Sequence, residues 1–147
     1  MTAVPHYSRW GDPAKAGPIP ESMLPLVEAA FQAPEPMPSV ELTQLVPAPS
    51  TLSSDQLSVL AEILSGEAQI DTSDETRARH AGGCSTIDLL HRRSGDLRDA
   101  PDAVVLPESH EQVSELLHWA SENEVAVVPF GGGTSVVGGL SPVRDGF

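Results

Sequence analysis

Residues 125–130 read Val-Ala-Val-Val-Pro-Phe, and residues 131–139 read Gly-Gly-Gly-Thr-Ser-Val-Val-Gly-Gly. The apolar run predicts a buried strand, and the five glycines after it predict a loop. Glycine leaves main-chain N–H groups uncovered and reaches positive φ, so these groups can converge on one point. Such a concave loop binds anions such as phosphate. The segment therefore predicts a binding loop for a nucleotide or phosphorylated cofactor. The alternative is a flexible glycine turn that only joins two elements.

Two familiar phosphate loops are excluded by residue type. A Walker A loop needs Gly-Lys-Ser/Thr, and Lys15 is the only lysine in the chain. The dinucleotide pattern G-x-G-x-x-G opens a helix, but Val136 stands in the place of its third glycine and Pro142 follows soon after. A diphosphate would therefore be held by loop N–H groups and by the hydroxyls of Thr134 and Ser135, without a helix end.

A strand, a helix and a second strand are predicted immediately before the loop. Residues 103–106 form a short apolar run, and Ser109 begins a helix with Gln112 at the reciprocal capping-box position. The helix ends at Asn123, and its apolar stripe consists of Val113, Leu116, Leu117 and Ala120. Residues 125–128 follow as the second strand. This order predicts a βαβ unit, in which the two strands are parallel.

The first half of the chain has a different character, because ten of the 14 prolines lie in the first 50 residues. Residues 1–20 predict an irregular arm anchored by Tyr7, Trp10 and Ile19. A short helix is predicted after Ser22, then a stiff connector marked by Pro34, Pro36, Pro38, Pro47 and Pro49. Further helices are predicted from Ser54 to Gly66 and over residues 73–80. No period dominates residues 84–100.

Charge and cysteine content narrow the class of protein. Eight basic and 21 acidic residues give a net charge of −13, which disfavours nucleic acid and anionic membrane surfaces as partners. Five of the seven arginines fall within residues 77–98, where ion pairing with acidic residues is favoured over a positive patch. A single cysteine, no signal-like N-terminus and no apolar stretch near the ~18 residues of a membrane span predict a cytoplasmic protein.

Some further polar residues are weaker candidates for chemistry. His80 and Cys84 could supply half of a metal site, but a closed zinc site needs four ligands, so we expect local packing and no metal. Asp88 and His91 stand at helical spacing without a nucleophile and are interpreted as solvated charges. Trp119 is expected to pack at a helix–sheet seam or an interface.

Several of these segments resemble one flavoprotein family. Residues 101–107, the helix beginning at Ser109 and residues 127–135 resemble the start of an FAD-binding domain of the vanillyl-alcohol oxidase / p-cresol methylhydroxylase (PCMH) type. More narrowly, residues 79–84 and the Gly-Gly-Gly-Thr-Ser-Val form of the loop resemble alkyldihydroxyacetonephosphate synthases and their bacterial relatives. Residues 10–13, Trp-Gly-Asp-Pro, are also similar to those relatives.

The resemblance implies FAD as the cofactor and gives the loop its role. The residues it places at the FAD diphosphate are Pro129, Phe130, Gly131, Gly132, Gly133, Thr134, Ser135, Gly138 and Gly139. Some family members attach flavin covalently through a histidine in this loop, and this loop has none. The resemblance therefore implies non-covalent FAD. Catalytic residues are expected beyond Phe147, because family members are considerably longer.

The resemblance implies an α+β protein in which a proline-rich helical arm (residues 1–66) and a connecting segment (67–100) precede the first βαβ unit of an incomplete PCMH-type domain (101–147). The expected function is that of the N-terminal portion of an FAD-dependent enzyme, and the chain alone is expected to be inactive. Synthase-like alkyl transfer in ether lipid synthesis is favoured over 2-hydroxy-acid (lactate or glycolate) oxidation. The residues also leave open a non-enzymatic nucleotide-binding module and an inert truncated product. The partners expected are a small-molecule substrate, lipid-linked for a synthase, and a second copy in a homodimer of the complete protein.

Overall fold

The computed structural model describes residues 6–11, 13–15, 17–31 and 39–142. Its helices are α1 (Leu24–Phe31), α2 (Ser54–Ile63), α3 (Asp74–Arg79), α4 (Thr86–Ser94) and α5 (His110–Glu122). Its strands are β1 (Ile70–Asp71) and β2 (Val104–Val105), and short 3-10 turns cover Pro13–Lys15, Glu21–Met23, Leu42–Gln44 and Glu67–Gln69. This mixture of helices with a small sheet confirms the α+β class. Pro34, Pro36 and Pro38 of the predicted connector lie outside the described residues.

Serine caps begin three of these helices at or beside the predicted positions. Ser53, one residue before the predicted Ser54, caps α2 and forms a capping box with Gln56. Ser73 caps α3, which lies within the predicted residues 73–80. Ser109 caps α5, whose predicted end at Asn123 is also confirmed. A local hydrogen bond from a backbone N–H to the serine oxygen explains why these starts could be read from sequence.

The segment without a dominant period, residues 84–100, contains helix α4. Ser85 and Asp88 form a reciprocal capping box at its start, and Gly95 follows its last turn. The signal was therefore the Ser-x-x-Asp spacing and the terminal glycine, not an apolar stripe. Two of the buried side chains of this helix, Asp88 and Arg92, are charged. Its buried face therefore does not stand out as an apolar stripe in the sequence.

The sheet differs from the predicted parallel pair. β1 and β2 are antiparallel, with Ile70 opposite Val105 and Asp71 opposite Val104. Within the described residues, no strand is formed by 125–130, so the second strand of the predicted βαβ unit is not paired here. Parallel strands need cover on both faces, and Val127 and Val128 are 41% and 39% exposed. Without that cover, residues 125–130 form no strand in the described part of the chain.

The core is small and joins distant parts of the chain. Leu45, Ala78, Ala81, Leu97 and Ala100 form one buried cluster. Tyr7 of the arm packs against it, and the Tyr7 hydroxyl donates to the Val40 carbonyl. Trp10 is largely exposed, yet its Nε1 donates to the Cys84 carbonyl at 2.7 Å. Two of the three predicted anchors therefore hold the arm, while Ile19 is exposed.

Helix α5 packs on α2. Leu60, Leu64, Leu116 and Ala120 are the buried apolar residues of the two helices and the α2 C-cap. Val113 and Leu117, the remaining two members of the predicted stripe, are exposed. Trp119 is half-buried and lines a shallow groove of about 410 Å³ between the two helices. None of the helices in the described segments combines the length and apolarity that a bilayer crossing demands.

Candidate functional site

The first half of the glycine loop contains a tight turn at Gly133. Gly133 has a φ of 63°, in the left-handed region that side chains other than glycine rarely adopt. A Cβ atom at this position would lie 2.5 Å from Cζ of Phe130, so the phenyl ring packs directly over the glycine backbone. Phe130 and Gly133 together define the shape of the loop.

The first half of the loop presents free main-chain donors. Within residues 39–142, no protein hydrogen bond uses the N–H groups of Gly131, Gly132, Gly133 or Thr134. Gly131, Gly132 and Thr134 are exposed, so their side of the loop is open to solvent. Successive unbonded N–H groups beside a positive φ are the arrangement that binds anions in proteins. The loop can therefore hold the diphosphate of a nucleotide without a charged side chain.

The second half of the loop closes on itself and on a distant turn. Ser135 Oγ accepts the N–H of Gly139 at 3.3 Å. The Ser135 carbonyl accepts the N–H of Cys84 at 2.6 Å. A Cβ atom on Gly83 would lie 2.6 Å from that same carbonyl oxygen, so the approach requires glycine at position 83. The loop is therefore supported by the turn of residues 81–84, which we call the platform.

A ring contact ties the start of the loop to the end of α3. The rings of His80 and Phe130 lie 4.4 Å apart, centroid to centroid, with 52° between their planes. The Nδ1 atom of His80 donates to the Thr76 carbonyl at 2.7 Å, which sets the orientation of the imidazole. His80 therefore packs on Phe130, a partner that the sequence did not predict.

Asp88, at the start of α4, connects the platform to the chain after the loop. Its Oδ2 accepts the N–H groups of Gly83 at 3.2 Å and Ser85 at 3.1 Å, and its Oδ1 accepts the Ser141 hydroxyl at 3.2 Å. Burial opposes ionisation, but these hydrogen bonds outweigh it and hold the pKa of Asp88 below its ordinary value. The side chain is buried, so the interpretation of Asp88 as a solvated charge is wrong.

Arg92 lies one helical turn after Asp88 and is 4% exposed. Its NH1 donates to the carbonyls of Ala81 at 3.2 Å and Gly82 at 3.3 Å, and its NH2 donates to the Gly83 carbonyl. Burial lowers the pKa of Arg92, while Cys84 and Asp88 act in the opposite direction. A guanidinium nevertheless stays charged near neutral pH.

Three more arginines in residues 77–98 form the ion pairs that the sequence favoured. The pairs are Arg77–Asp74 at 3.7 Å, Arg79–Glu75 at 3.0 Å and Arg98–Asp96 at 2.5 Å. Arg77 also donates to the carbonyls of Pro101 and Ala48, which joins α3 to the segments on either side. These contacts confirm ion pairing over a positive patch for these three side chains.

The structure brings the predicted loop residues together and adds others. Pro129 is exposed, Phe130 folds over Gly133, and Gly138 and Gly139 complete the turn that Ser135 closes. Sequence reasoning missed the supporting residues, which are Gly83, Cys84, Asp88, Arg92 and Ser141. Two local signals pointed to them, the Ser85-x-x-Asp88 capping pattern and the motif of residues 79–84 that carries the family resemblance.

Comparison with known proteins places the chain in a family. Residues 101–147 match the FAD binding domain family. Protein Rv2250A of Mycobacterium tuberculosis (strain ATCC 25618 / H37Rv) is 39% identical over 102 residues, which are 69% of this chain and 68% of that protein. An alkyldihydroxyacetonephosphate synthase of Dictyostelium discoideum is 40% identical over 77 residues, 52% of this chain and 13% of the synthase.

A similar fold and a second enzyme class complete the comparison. A solved structure of alkyldihydroxyacetonephosphate synthase has a TM-score of 0.73 and 25% identity, covering 97% of this chain and 30% of that one. A mitochondrial D-2-hydroxyglutarate dehydrogenase of Arabidopsis thaliana is 34% identical over 107 residues, 73% of this chain and 17% of the dehydrogenase. The chain belongs to the same family as protein Rv2250A, and its residues 101–147 match the FAD binding domain family. It spans 13% of the length of the Dictyostelium synthase to which it is similar.

Proposed function

We propose that the glycine loop binds the diphosphate of FAD through main-chain N–H groups. The observation that carries this proposal is the row of N–H groups at Gly131, Gly132, Gly133 and Thr134, which make no hydrogen bond within the described residues and lie beside the positive φ of Gly133. Pro129 and Phe130 flank the row, and Ser135, Gly138 and Gly139 close the turn behind it. The family match over residues 101–147 supports the choice of FAD among phosphorylated ligands.

The bound flavin is non-covalent in this proposal. Residues 129–139 contain no histidine, cysteine or tyrosine that could form a bond to the isoalloxazine ring. The loop therefore offers hydrogen bonds and shape alone. FAD, when bound, supplies the electron-accepting chemistry, and this chain holds its diphosphate in place.

We place the cofactor-binding unit at residues 101–147, after an arm of residues 1–66 and a connector of 67–100.

The activity inferred for the whole protein is alkyl transfer of the alkyldihydroxyacetonephosphate synthase kind, with a lipid-linked small-molecule substrate. The synthase relative and the synthase fold support this inference. The dehydrogenase relative supports hydride transfer from a 2-hydroxy acid as the second candidate. In both cases we infer a homodimer in the cytoplasm, from the family resemblance and the single cysteine.

An NMR titration of the 147-residue chain with FAD tests the proposal at residue level. We expect weak binding, with a Kd on the order of 1 mM, because few of the cofactor contacts of a complete domain are present. The largest amide shifts are expected at residues 131–134. A titration with ADP tests the alternative of a general nucleotide-binding module, which would bind ADP tightly but not FAD. Shifts confined to residues outside the loop, or none at all, would contradict the proposal.

Charge substitution at Gly132 makes the test specific. Its φ is not positive, and a Cβ there would meet only Thr134 Cγ2, at 3.6 Å, so a side chain fits. Gly132→Asp places a carboxylate beside the diphosphate, and Gly132→Asn is its neutral match. We expect FAD affinity to fall at least about tenfold further in the Asp variant than in the Asn variant, because like charges this close repel by several kcal/mol. Gly17→Asp, at an exposed glycine in the arm, controls for net charge. Equal FAD affinities for Gly132→Asp and Gly132→Asn would contradict the assignment of the loop as the diphosphate-binding site.

A further inference from the structure

We propose that Asp88 and Arg92 are positioning residues of the glycine loop, although both precede the residues that match the FAD binding domain family. They hold the turn of residues 81–84 in the conformation that anchors the loop. The proposal rests on the proposed function for the ligand, but the anchoring itself is a property of the chain without ligand.

The turn is held through both its carbonyl and its N–H groups by two side chains of α4. Arg92 donates to the carbonyls of Ala81, Gly82 and Gly83. Asp88 accepts the N–H groups of Gly83 and Ser85. A planar guanidinium with five donors can serve three carbonyls at once, whereas a lysine ammonium could not match this geometry. The buried charge of Arg92 is therefore used to orient peptide groups rather than to bind an anion.

This orientation leaves the N–H of Cys84 pointing at the loop. That N–H donates to the Ser135 carbonyl, and the carbonyl of Cys84 accepts from Trp10 of the arm. If the turn rotated, the N–H of Cys84 would leave Ser135 and the close contact at Gly83 would be lost. Arg92 thus acts on the loop through one intermediate turn.

The loop is anchored at three points along its length. Phe130 contacts His80, Ser135 contacts Cys84, and Ser141 donates to Asp88. The free N–H groups of residues 131–134 lie between the first two anchors. Ordering one residue costs about 1–2 kcal/mol in backbone entropy, so a loop ordered before binding spends less of its binding energy on ordering. The anchors therefore favour diphosphate binding without touching the ligand.

Amide hydrogen exchange of the ligand-free chain tests the anchoring directly. Arg92→Met keeps the length of the side chain but removes its donors, and Arg98→Met, at an exposed arginine with a surface ion pair, is the control. We expect exchange at the Cys84 N–H to rise at least about tenfold in Arg92→Met, a change of about 1.4 kcal/mol in opening free energy. Exchange within α5 should change little in either variant. Equal acceleration at Cys84 and throughout α5 would show a merely structural role and overturn the proposal.

A second variant tests the anchor at Asp88 independently of whether Arg92→Met folds. Ser141→Ala removes only the hydrogen bond from the Ser141 hydroxyl to Asp88, near the end of the described chain. We expect faster exchange at the Gly139 N–H, which lies between Ser135 and Ser141, and unchanged exchange in α5. Unchanged exchange at Gly139 would count against the anchor at Asp88.

The FAD titration separates this proposal from the proposed function. If the wild-type chain shows no FAD shifts while Arg92→Met accelerates exchange at Cys84, FAD binding fails and the anchoring stands. If the wild-type chain binds FAD and Arg92→Met binds with unchanged affinity, the loop assignment stands and the positioning role fails. We expect Arg92→Met to weaken FAD binding at least about threefold, less than the direct charge substitution at Gly132.

Discussion

Gly133 carries two independent requirements for glycine. Its φ of 63° is costly for any side chain with a Cβ, and the Phe130 ring occupies the space where that Cβ would stand. Gly131, two residues earlier, has neither requirement, because its φ is not positive and a Cβ there would meet no atom within 4 Å. The two positions look identical in sequence, and only their surroundings distinguish them.

Gly133→Ala is expected to destabilise the loop, and Gly131→Ala is its matched control. The left-handed backbone alone costs about 1–2 kcal/mol for a residue with a Cβ, and the contact with Phe130 adds to this. The loop can also relieve the clash by moving the ring, so loss of the His80–Phe130 contact should appear in the NMR shifts of both rings. Urea unfolding of both variants measures the cost. Equal unfolding midpoints for Gly131→Ala and Gly133→Ala would contradict the loop geometry.

At the scale of elements, Gln112 links α5 to α2. Its position three residues after Ser109 predicted a reciprocal capping box, but its Oε1 instead accepts the N–H of Glu108 at 2.7 Å. Its Nε2 donates to the Leu64 carbonyl at the end of α2, at 2.9 Å. The predicted reciprocal bond is therefore wrong, because the Oε1 atom of Gln112 accepts the N–H of Glu108 in place of the N–H of Ser109.

Gln112→Ala should destabilise the chain by about 1–2 kcal/mol, since it leaves two backbone partners without their hydrogen bonds. Glu115→Ala, on an exposed position of the same helix, should stay within about 0.5 kcal/mol of wild type. Urea unfolding followed by circular dichroism gives both values. Should the two variants unfold at the same midpoint, Gln112 would be an ordinary surface residue rather than a link between helices.

The whole molecule combines a thin apolar core with buried polar contacts. Three of the five residues in the core cluster are alanines, which bury little apolar area each. Asp88 and Arg92 are nearly as buried as that cluster, at 5% and 4% exposure. Arg92 and Asp88 hydrogen-bond to the turn of residues 81–84, and Asp88 also accepts the hydroxyl of Ser141 in the C-terminal segment.

The depressed pKa of Asp88 predicts how stability depends on pH. Because the folded pKa lies below the unfolded value near 3.9, the stabilising contribution is complete above that value and is lost as pH falls through the folded pKa. Asp71 acts in the same direction, since Ser73 and Thr76 hydrogen-bond to it and lower its pKa. We therefore expect the stability difference between wild type and Asp88→Asn to be largest near pH 6 and to shrink below about pH 4.

Thermal unfolding of the wild-type protein and of Asp88→Asn from pH 6 to pH 3 measures this difference in stability. Protonation of the many exposed carboxylates also changes the net charge of −13, but this affects both chains almost equally and cancels in the comparison. Asp55→Asn, at an exposed position in the first turn of α2, controls for removal of one charge. A stability gap that stays constant across this range would contradict the hydrogen-bonded, ionised state of Asp88.

Local patterns predicted the features whose causes lie within a few residues. Helix starts at Ser73 and Ser109, the helix end at Asn123 and the open glycine loop all depend on short-range hydrogen bonds or on the absence of a side chain. The family resemblance followed from the same local motifs. These features were accessible from sequence because their energies do not require a distant partner.

Pairings between distant residues needed the folded chain. Cys84 meets Ser135 across more than 50 residues, and β2 pairs with β1 instead of with the run at 125–128. The sequence predicted a solvated charge at Asp88 and ion pairing for Arg92, whereas both side chains are buried and hydrogen-bond to the turn of residues 81–84. Which partner wins depends on what each segment can bury and on which N–H and carbonyl groups remain unpaired. The buried area of a segment and the pairing of its backbone groups are defined only in the folded chain.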